Sequence, residues 1–272
     1  RTYSDIKASV LGRSAVSNNV EAKFALNLPI KKKELIEIEY APEGWEEYFD
    51  EYYDDLMRAI EAANEHILAG KNVYPPRDKI FRAFELLKPE DVRVVIVGQD
   101  PYHMKDRQSG KPVATGLAFS CNGAAQPSLK TIFSEIKRTE GREPLRNDLE
   151  FWAQQGVLLI NTCLTVNEGK AGSHGTIWAS FIKGVLTMLF EKTTFCYLCL
   201  WGNEAKKLIS GKDKISYNSK RVKVLEWWHP SPLNKTHPFL GCNHFAEMNQ
   251  YFRDHDMYEI DWTGEYVLQG EA

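Results

Sequence analysis

No apolar run in the chain approaches the roughly 20 residues that span a bilayer as a helix, which excludes an ordinary transmembrane segment. The first 30 residues lack the basic, apolar and small-residue layout of a secretory signal, so a soluble intracellular protein of cytoplasm or nucleus is expected. Cysteine is scarce and odd in number, five in 272 residues, which argues against a disulfide scaffold. Cys196 and Cys199 form a C-x-x-C, but strand alternation through Phe195 to Trp201 sends i and i+3 to opposite faces. They read as buried thiols, not as a metal or redox pair. Excess positive charge is also missing, with 34 Lys and Arg against 37 Asp and Glu and a net charge of −3. The deficit is local: residues 34–62 carry eleven carboxylates against the single cation Arg58, which leaves the remainder at +7. The acidic stretch reads as a solvated helix face, and any basic face belongs on the later part of the chain. No internal repeat or low-complexity tract is present.

At 43% hydrophobic, the chain has enough apolar residues for one substantial core. Residues 1–40 are expected to be a partly disordered extension and 41–272 one folded domain. Within the extension, Lys31-Lys32-Lys33 reads as solvated surface, with a nuclear-import signal as the alternative. Apolar residues at helical spacing from Trp45 to Ile67 predict a long amphipathic helix ending near Gly70. A second helix is expected over Lys79 to Leu87.

Four apolar runs follow: Val92 to Val97, Val157 to Ile160, Phe195 to Leu200 and Val222 to Glu226. Near-continuous apolarity marks strands covered on both faces. Helical patterns between them, near Ser128 to Arg138, Asp148 to Gln155, Trp178 to Phe190 and Asn203 to Ile209, with another after Asn243, complete the pattern. The expectation is an α/β fold, a three-layer α/β/α sandwich around a four-stranded, mainly parallel sheet. Residues after the four runs then converge on one sheet edge, where open α/β sheets place their sites. Gly98-Gln99-Asp100-Pro101-Tyr102-His103 brings a carboxylate and an imidazole there together; Asn161, Trp201-Gly202-Asn203 and His229 to Leu233 join them.

Taken in order, that hexapeptide, Gly116-Leu117-Ala118-Phe119-Ser120, Leu158-Leu159-Ile160-Asn161-Thr162 and His229-Pro230-Ser231-Pro232-Leu233 resemble the family 1 uracil-DNA glycosylases. The similarity runs from about Val73 to Phe252 and includes Leu200-Trp201-Gly202 and Gly241-Cys242-Asn243-His244-Phe245.

The resemblance implies a monofunctional glycosylase that flips uracil out of single- or double-stranded DNA and hydrolyses its glycosidic bond. Asp100 would stabilise an oxocarbenium-like sugar and position water, with His103 helping to hold that water. His229 would donate, as a neutral imidazole, to the uracil O2. Asn161 carries both an amide donor and an acceptor, matching N3 and O4 of uracil and mismatching cytosine. Phe119 would stack on the base, Tyr102 would stand against C5 to exclude a thymine methyl, and Gln99 would reach the base through its backbone. Leu233 would be the wedge that fills the vacated stack, while Pro127, Ser128, Asn203 and Ser231 would meet the DNA strand. No metal or other cofactor is expected, and no lysine occupies a matched nucleophile position. Expected partners are uracil-containing DNA and DNA-mimicking inhibitor proteins, with the enzyme a monomer away from membranes.

The chain departs from the family pattern between His103 and Gly116. Met104 to Thr115 is about twice the usual length and carries Lys105, Arg107 and Lys111, a candidate additional phosphate grip. Asn203 and Asn234 stand where serine is common. Two other functions are weighed against this one. A non-catalytic DNA-binding protein on the same fold is disfavoured by retention of Asp100, Asn161 and His229 together. A zinc hydrolase built on His229, His237 and His244 is disfavoured by their separations of eight and seven residues.

Overall fold

The computed structural model describes residues 35–266, so the lysine triplet and most of the expected extension lie outside the described residues. Within the described part of that extension, Ile36 is buried, and its backbone N–H and carbonyl both bond the Asn64 amide, at 2.8 and 3.0 Å. The long helix expected from Trp45 forms as α1 (Glu46–Glu51) and α2 (Tyr53–Leu68), broken at Tyr52, where φ −106° and ψ 28° leave helical geometry. Bonds from Tyr52 N–H to the Tyr48 carbonyl and from Leu56 N–H to the Tyr52 carbonyl bridge the break, making it a kink. Phe49, Leu56, Ala59 and Ile60 face inward while Glu46, Glu47, Glu51 and Asp54 face solvent, so the acidic run is a solvated helix face.

The remaining elements are β1 (Val73–Tyr74), α3 (Arg82–Glu85), β2 (Val94–Gly98), α4 (Pro127–Glu140), α5 (Glu150–Ala153) and β3 (Val157–Asn161). These are followed by β4 (Val166–Asn167), α6 (Ala179–Lys192), β5 (Cys196–Trp201), α7 (Asn203–Lys206), β6 (Val222–Trp227) and α8 (His244–Asp254). Short helices replace the longer ones expected near Lys79, Asp148 and Asn203, because turns after Glu85, Ala153 and Lys206 stop the periodicity early. The small antiparallel pair β1–β4 was not anticipated; strands of two residues carry no readable period.

All four long strands run parallel, in the order β3-β2-β5-β6. β2, β3 and β5 are buried at every position, whereas β6, at the edge, mixes buried and exposed residues. The chain moves from β2 to β3 in one direction and from β3 to β5 in the other. Right-handed crossovers therefore put α4 and α5 on one face and α6 on the other. Helix α2 packs on α6 and α8 on α4, completing the three layers. The reversal makes the carboxyl end of β2 a topological switch point, where a crevice opens between diverging connections. Gly98 to His103 leave the sheet there.

Candidate active site

Gly98 and Asn161 pair across the ends of β2 and β3. A methyl group on Gly98 would lie 2.1 Å from the Asn161 Oδ1 and 2.9 Å from the Ala118 Cβ. The absence of a side chain on one strand is thus what gives the amide on the next its place. Pairing continues past the strands: the Gln99 carbonyl accepts from Cys163 N–H at 2.9 Å and from the Thr162 hydroxyl at 3.1 Å.

A cavity of about 240 Å³ opens at this edge. Eight expected site residues line it: Gln99, Asp100, Tyr102, His103, Phe119, Ser128, Asn161 and His229. Pro127, Asn203, Ser231 and Leu233 lie outside the lining. The cavity is smaller than pockets for drug-sized ligands, roughly 300–1,000 Å³, and suits a single small ring.

On the Asp100 side, Gly172 N–H donates to the Asp100 Oδ2 at 2.6 Å, a short charge-assisted bond. A buried relay fixes the loop that supplies it. Trp178 Nε1–H donates to the Thr165 Oγ1 at 2.7 Å, and the Thr165 hydroxyl meets the His174 Nδ1 at 2.7 Å. The His174 Nε2 meets the Asn167 Oδ1 at 2.8 Å, and the Asn167 Nδ2 donates to the His66 Nδ1 at 3.0 Å. Because an amide oxygen only accepts, the His174 Nε2 carries a proton and donates it to Asn167. Burial, with His66 stacked 4.1 Å away, pushes the pKa of His174 down to about 4. Sequence reasoning missed this relay, since Thr165, Asn167 and His174 belong to no periodic pattern. The His103 carbonyl accepts from Gly169 N–H at 2.8 Å, tying the hexapeptide to the same loop. The His103 Nδ1 is buried without a protein partner.

Elsewhere in the lining, the His229 Nδ1 accepts from Ser231 N–H at 2.9 Å. A ring nitrogen that accepts a backbone proton carries none itself, and burial holds the pKa of His229 below its ordinary value. The imidazole is therefore neutral, with its proton on Nε2, and is a donor on that side. Gly202 makes room for it, since a methyl group there would lie 2.8 Å from the His229 Cβ, and its φ of +90° suits glycine.

The Phe119 ring, also in the lining, lies 6.3 Å from that of His229 and 5.7 Å from that of Trp201. The Phe119 backbone has φ +65°, a conformation costing a non-glycine residue on the order of 1–3 kcal/mol and concentrated at functional sites. The Tyr102 hydroxyl lies 3.5 Å from the Phe119 carbonyl, and burial pushes this phenol's pKa up.

Ser128 and Pro127 form the first turn of α4, whose N-terminus favours anions. Leu233 is 88% exposed, on a loop where the Ser231 Oγ accepts from Leu233 N–H at 3.3 Å. Asn203 is exposed at the start of α7. The longer segment from Met104 to Thr115 is folded back on itself by the Lys105–Pro112 bridge and joined to the following chain by the Ala114–Cys121 bridge. The Asp106 carboxylate organises it, accepting from the N–H and hydroxyl of Ser109 at 2.8 and 2.9 Å. Of the three cations expected to grip phosphate, Lys105 is paired with Glu168 at 3.5 Å, while Arg107 and Lys111 are exposed.

The three histidines weighed as zinc ligands occupy three settings: His229 lines the cavity, His237 stacks on Trp228, and His244 accepts from Trp201 Nε1–H. Among the described residues, no group of three potential ligands could hold a metal ion.

A family model described as the uracil DNA glycosylase superfamily matches residues 84–253. A uracil-DNA glycosylase of Histophilus somni (strain 2336) is 39% identical over 216 residues, covering 78% of this chain and 91% of that protein. The uracil-DNA glycosylase of Exiguobacterium sibiricum is 43% identical over 194 residues, covering 70% of this chain and 84% of its own. Among solved structures, a mimivirus UNG variant in complex with UGI superposes with a TM-score of 0.76 at 23% identity, over 82% of this chain and 89% of that one. This last likeness bears on the fold, while the family match and the bacterial relatives bear on descent. The chain belongs to the uracil-DNA glycosylase superfamily.

Proposed function

We propose that the protein is a monofunctional uracil-DNA glycosylase, which extrudes uracil from DNA, hydrolyses its N-glycosidic bond and leaves an abasic site for base excision repair. The observation that carries this reading is the presence of Asp100, Asn161 and His229 around one cavity the size of a single base.

As the C1′–N1 bond parts, its electron pair leaves with the base and the sugar becomes cationic. Asp100, its carboxylate steadied by Gly172 N–H, faces the sugar side and stabilises that charge. His229, with Nε2–H as its free donor, faces the departing O2 and stabilises the negative charge there. Water adds to C1′ from the side of Asp100 and gives up a proton to that carboxylate, with the unpartnered His103 Nδ1 as a second anchor. The uracil anion takes a proton from solvent as it leaves. Asn161 reads N3 and O4, Phe119 stacks on the ring, and Tyr102 closes the space a thymine methyl would need. The Gln99 carbonyl is already taken up by Thr162 and Cys163, so its contact with the base falls to its N–H.

Leu233 fills the vacated stack, and Ser128, Pro127, Ser231 and Asn203 support the strand. Susceptibility to a DNA-mimicking inhibitor protein is part of the same proposal, supported by the UGI complex of the mimivirus relative. An intracellular monomer, in cytoplasm or nucleus, belongs to it too; the five cysteines are buried and unbridged, as a reducing compartment keeps them.

The test is a uracil-containing oligonucleotide incubated with the protein and then treated with alkali. Strand breaks only after alkali, with free uracil released and no loss under exhaustive chelation, are the expected result. Breakage without alkali would indicate a lyase, and intact DNA after alkali would favour a non-catalytic DNA-binding protein.

A further inference from the structure

The loop that carries Leu233 is closed at its base by a contact for which the proposed reaction has no role. Trp228 opens it and His237 ends it, and their rings stack with centroids 4.0 Å apart and planes 14° from parallel. The Lys206 Nζ lies 5.1 Å from the centre of the same indole. Just outside the stack, Trp227 Nε1–H donates to the Pro238 carbonyl at 3.3 Å. Downstream, the buried Glu135 carboxylate accepts from the N–H groups of Gly241 and Asn243, at 2.8 and 2.9 Å. Within the loop the bonds are all short-range: Ser231 N–H to the His229 Nδ1 at 2.9 Å, Lys235 N–H to the Leu233 carbonyl at 3.0 Å, Asn234 N–H to the Ser231 carbonyl at 3.1 Å, and His237 N–H to the Asn234 Oδ1 at 3.3 Å. A compact loop with adjoining ends keeps its shape only while those ends are held together.

We propose that the Trp228–His237 stack is a clamp that holds the Leu233 loop in the shape that enters a duplex, making Trp228 and His237 positioning residues for base extrusion. Leu233 is too exposed to be ordered by packing, so ordering must come from the loop's base. An aromatic pair supplies it without a directional bond and tolerates the small tilt that docking on DNA imposes. Holding the loop in advance lowers the ordering cost that would otherwise fall on the extrusion step. A single strand has little stacking to replace, so its uracil needs the clamp far less.

The inference rests on the glycosylase reading, and single-stranded uracil DNA separates the two. Wild-type protein, His237→Ala and His237→Phe are compared in single-turnover excision on one sequence, single-stranded and paired. Exposed His237 lies outside the cavity, so the Ala variant is expected to keep its single-strand rate within about twofold. On the duplex it should slow about threefold to tenfold, the factor expected of one lost ring pair. The Phe variant, which keeps a stacking ring and loses the imidazole nitrogens, should return to within about twofold of wild type. 2-Aminopurine beside the uracil should report the same ranking in extrusion. An unchanged duplex rate for the Ala variant would overturn the clamp, as would equal losses on both substrates. A duplex loss that Phe does not restore would overturn it in favour of a direct imidazole contact with DNA. Wild-type protein that leaves single-stranded uracil intact would instead defeat the glycosylase reading.

Discussion

The base cavity and the Leu233 loop meet at His229 and are built in opposite ways. The cavity hangs from the ends of parallel strands: Asn161 is buried, the Asp100 carboxylate is bonded at 2.6 Å, and a five-residue relay backs the loop that bonds it. The Leu233 loop is held by one ring stack and by short-range bonds of 2.9 to 3.3 Å within itself, with its tip in solvent. Charge stabilisation demands groups fixed before the reaction, because reorienting them would consume the gain. A wedge, by contrast, obtains its apolar burial from the duplex it enters. Changes in the cavity should therefore damage chemistry on any strand, and changes in the loop should matter only where stacking must be replaced.

The largest effect is expected at Asp100. Asp100→Asn keeps an acceptor for Gly172 N–H and removes the charge, and should slow single-turnover excision by a factor on the order of 10² to 10³ on both substrate forms. Affinity for a non-hydrolysable uracil duplex should stay within about threefold. Wild-type turnover by this variant would remove Asp100 from its place opposite the sugar. Gly98→Ala tests the cavity without touching a polar group. Its methyl would lie 2.1 Å from the Asn161 Oδ1, and the amide must move. Excision should fall roughly tenfold to a hundredfold, and the preference for uracil over cytosine should narrow as edge readout is lost. Overpacking should also lower stability by about 1–3 kcal/mol in denaturant titration. Unaltered base selectivity would show that Asn161 does not read the base edge.

What the sequence made legible divides along the same line. The strands were readable because β-branched and apolar residues ran unbroken for four to six positions, and a parallel sheet needs no more than that. Chain direction then placed Asp100, Asn161 and His229 on one edge before any distance was known. The relay through Thr165, Asn167 and His174 was illegible because its partners join through side-chain bonds that no spacing encodes. Gly98 was visible as a letter, but its purpose depends on a neighbouring strand 63 residues away in register. The loop clamp hid for the same reason: Trp228 and His237 look like unrelated exposed residues until the loop closes. Lys105 looked available for phosphate until its pairing with Glu168 appeared.

Acid should separate the scaffold of the cavity from the loop. His174 and His244 are both held near pKa 4 by burial, whereas an unfolded histidine titrates near 6.5. Between those values the unfolded chain binds protons that the folded one refuses, so stability is complete above about pH 6.5 and falls as pH drops toward 4. Each histidine should contribute a loss of about 2–4 kcal/mol across that window. Thermal unfolding of wild type and His174→Asn from pH 7 to 4 checks this, and the variant should show the shallower acid limb. Parallel curves would mean that His174 is protonated in the native protein.

The smallest effect is expected from the folded-back segment beside the cavity. Met104, Ala114 and Thr115 contribute to the cavity wall, while Arg107 and Lys111 project into solvent from the same segment. With Lys105 engaged by Glu168, two cations remain to meet phosphate. Each contact releases about 0.9 counterion equivalents on duplex DNA, so Arg107→Gln with Lys111→Gln should lower the slope of log affinity against log salt by up to about 2. Adding Lys105→Gln should change the slope little further, because the Lys105 charge is already met by Glu168 and not by phosphate. Excision at saturating DNA should hold steady, since none of the three lines the cavity. A slope unchanged by the double variant would mean that this segment shapes the wall without touching the strand, and a further full unit from Lys105 would mean that its ion pair opens on DNA.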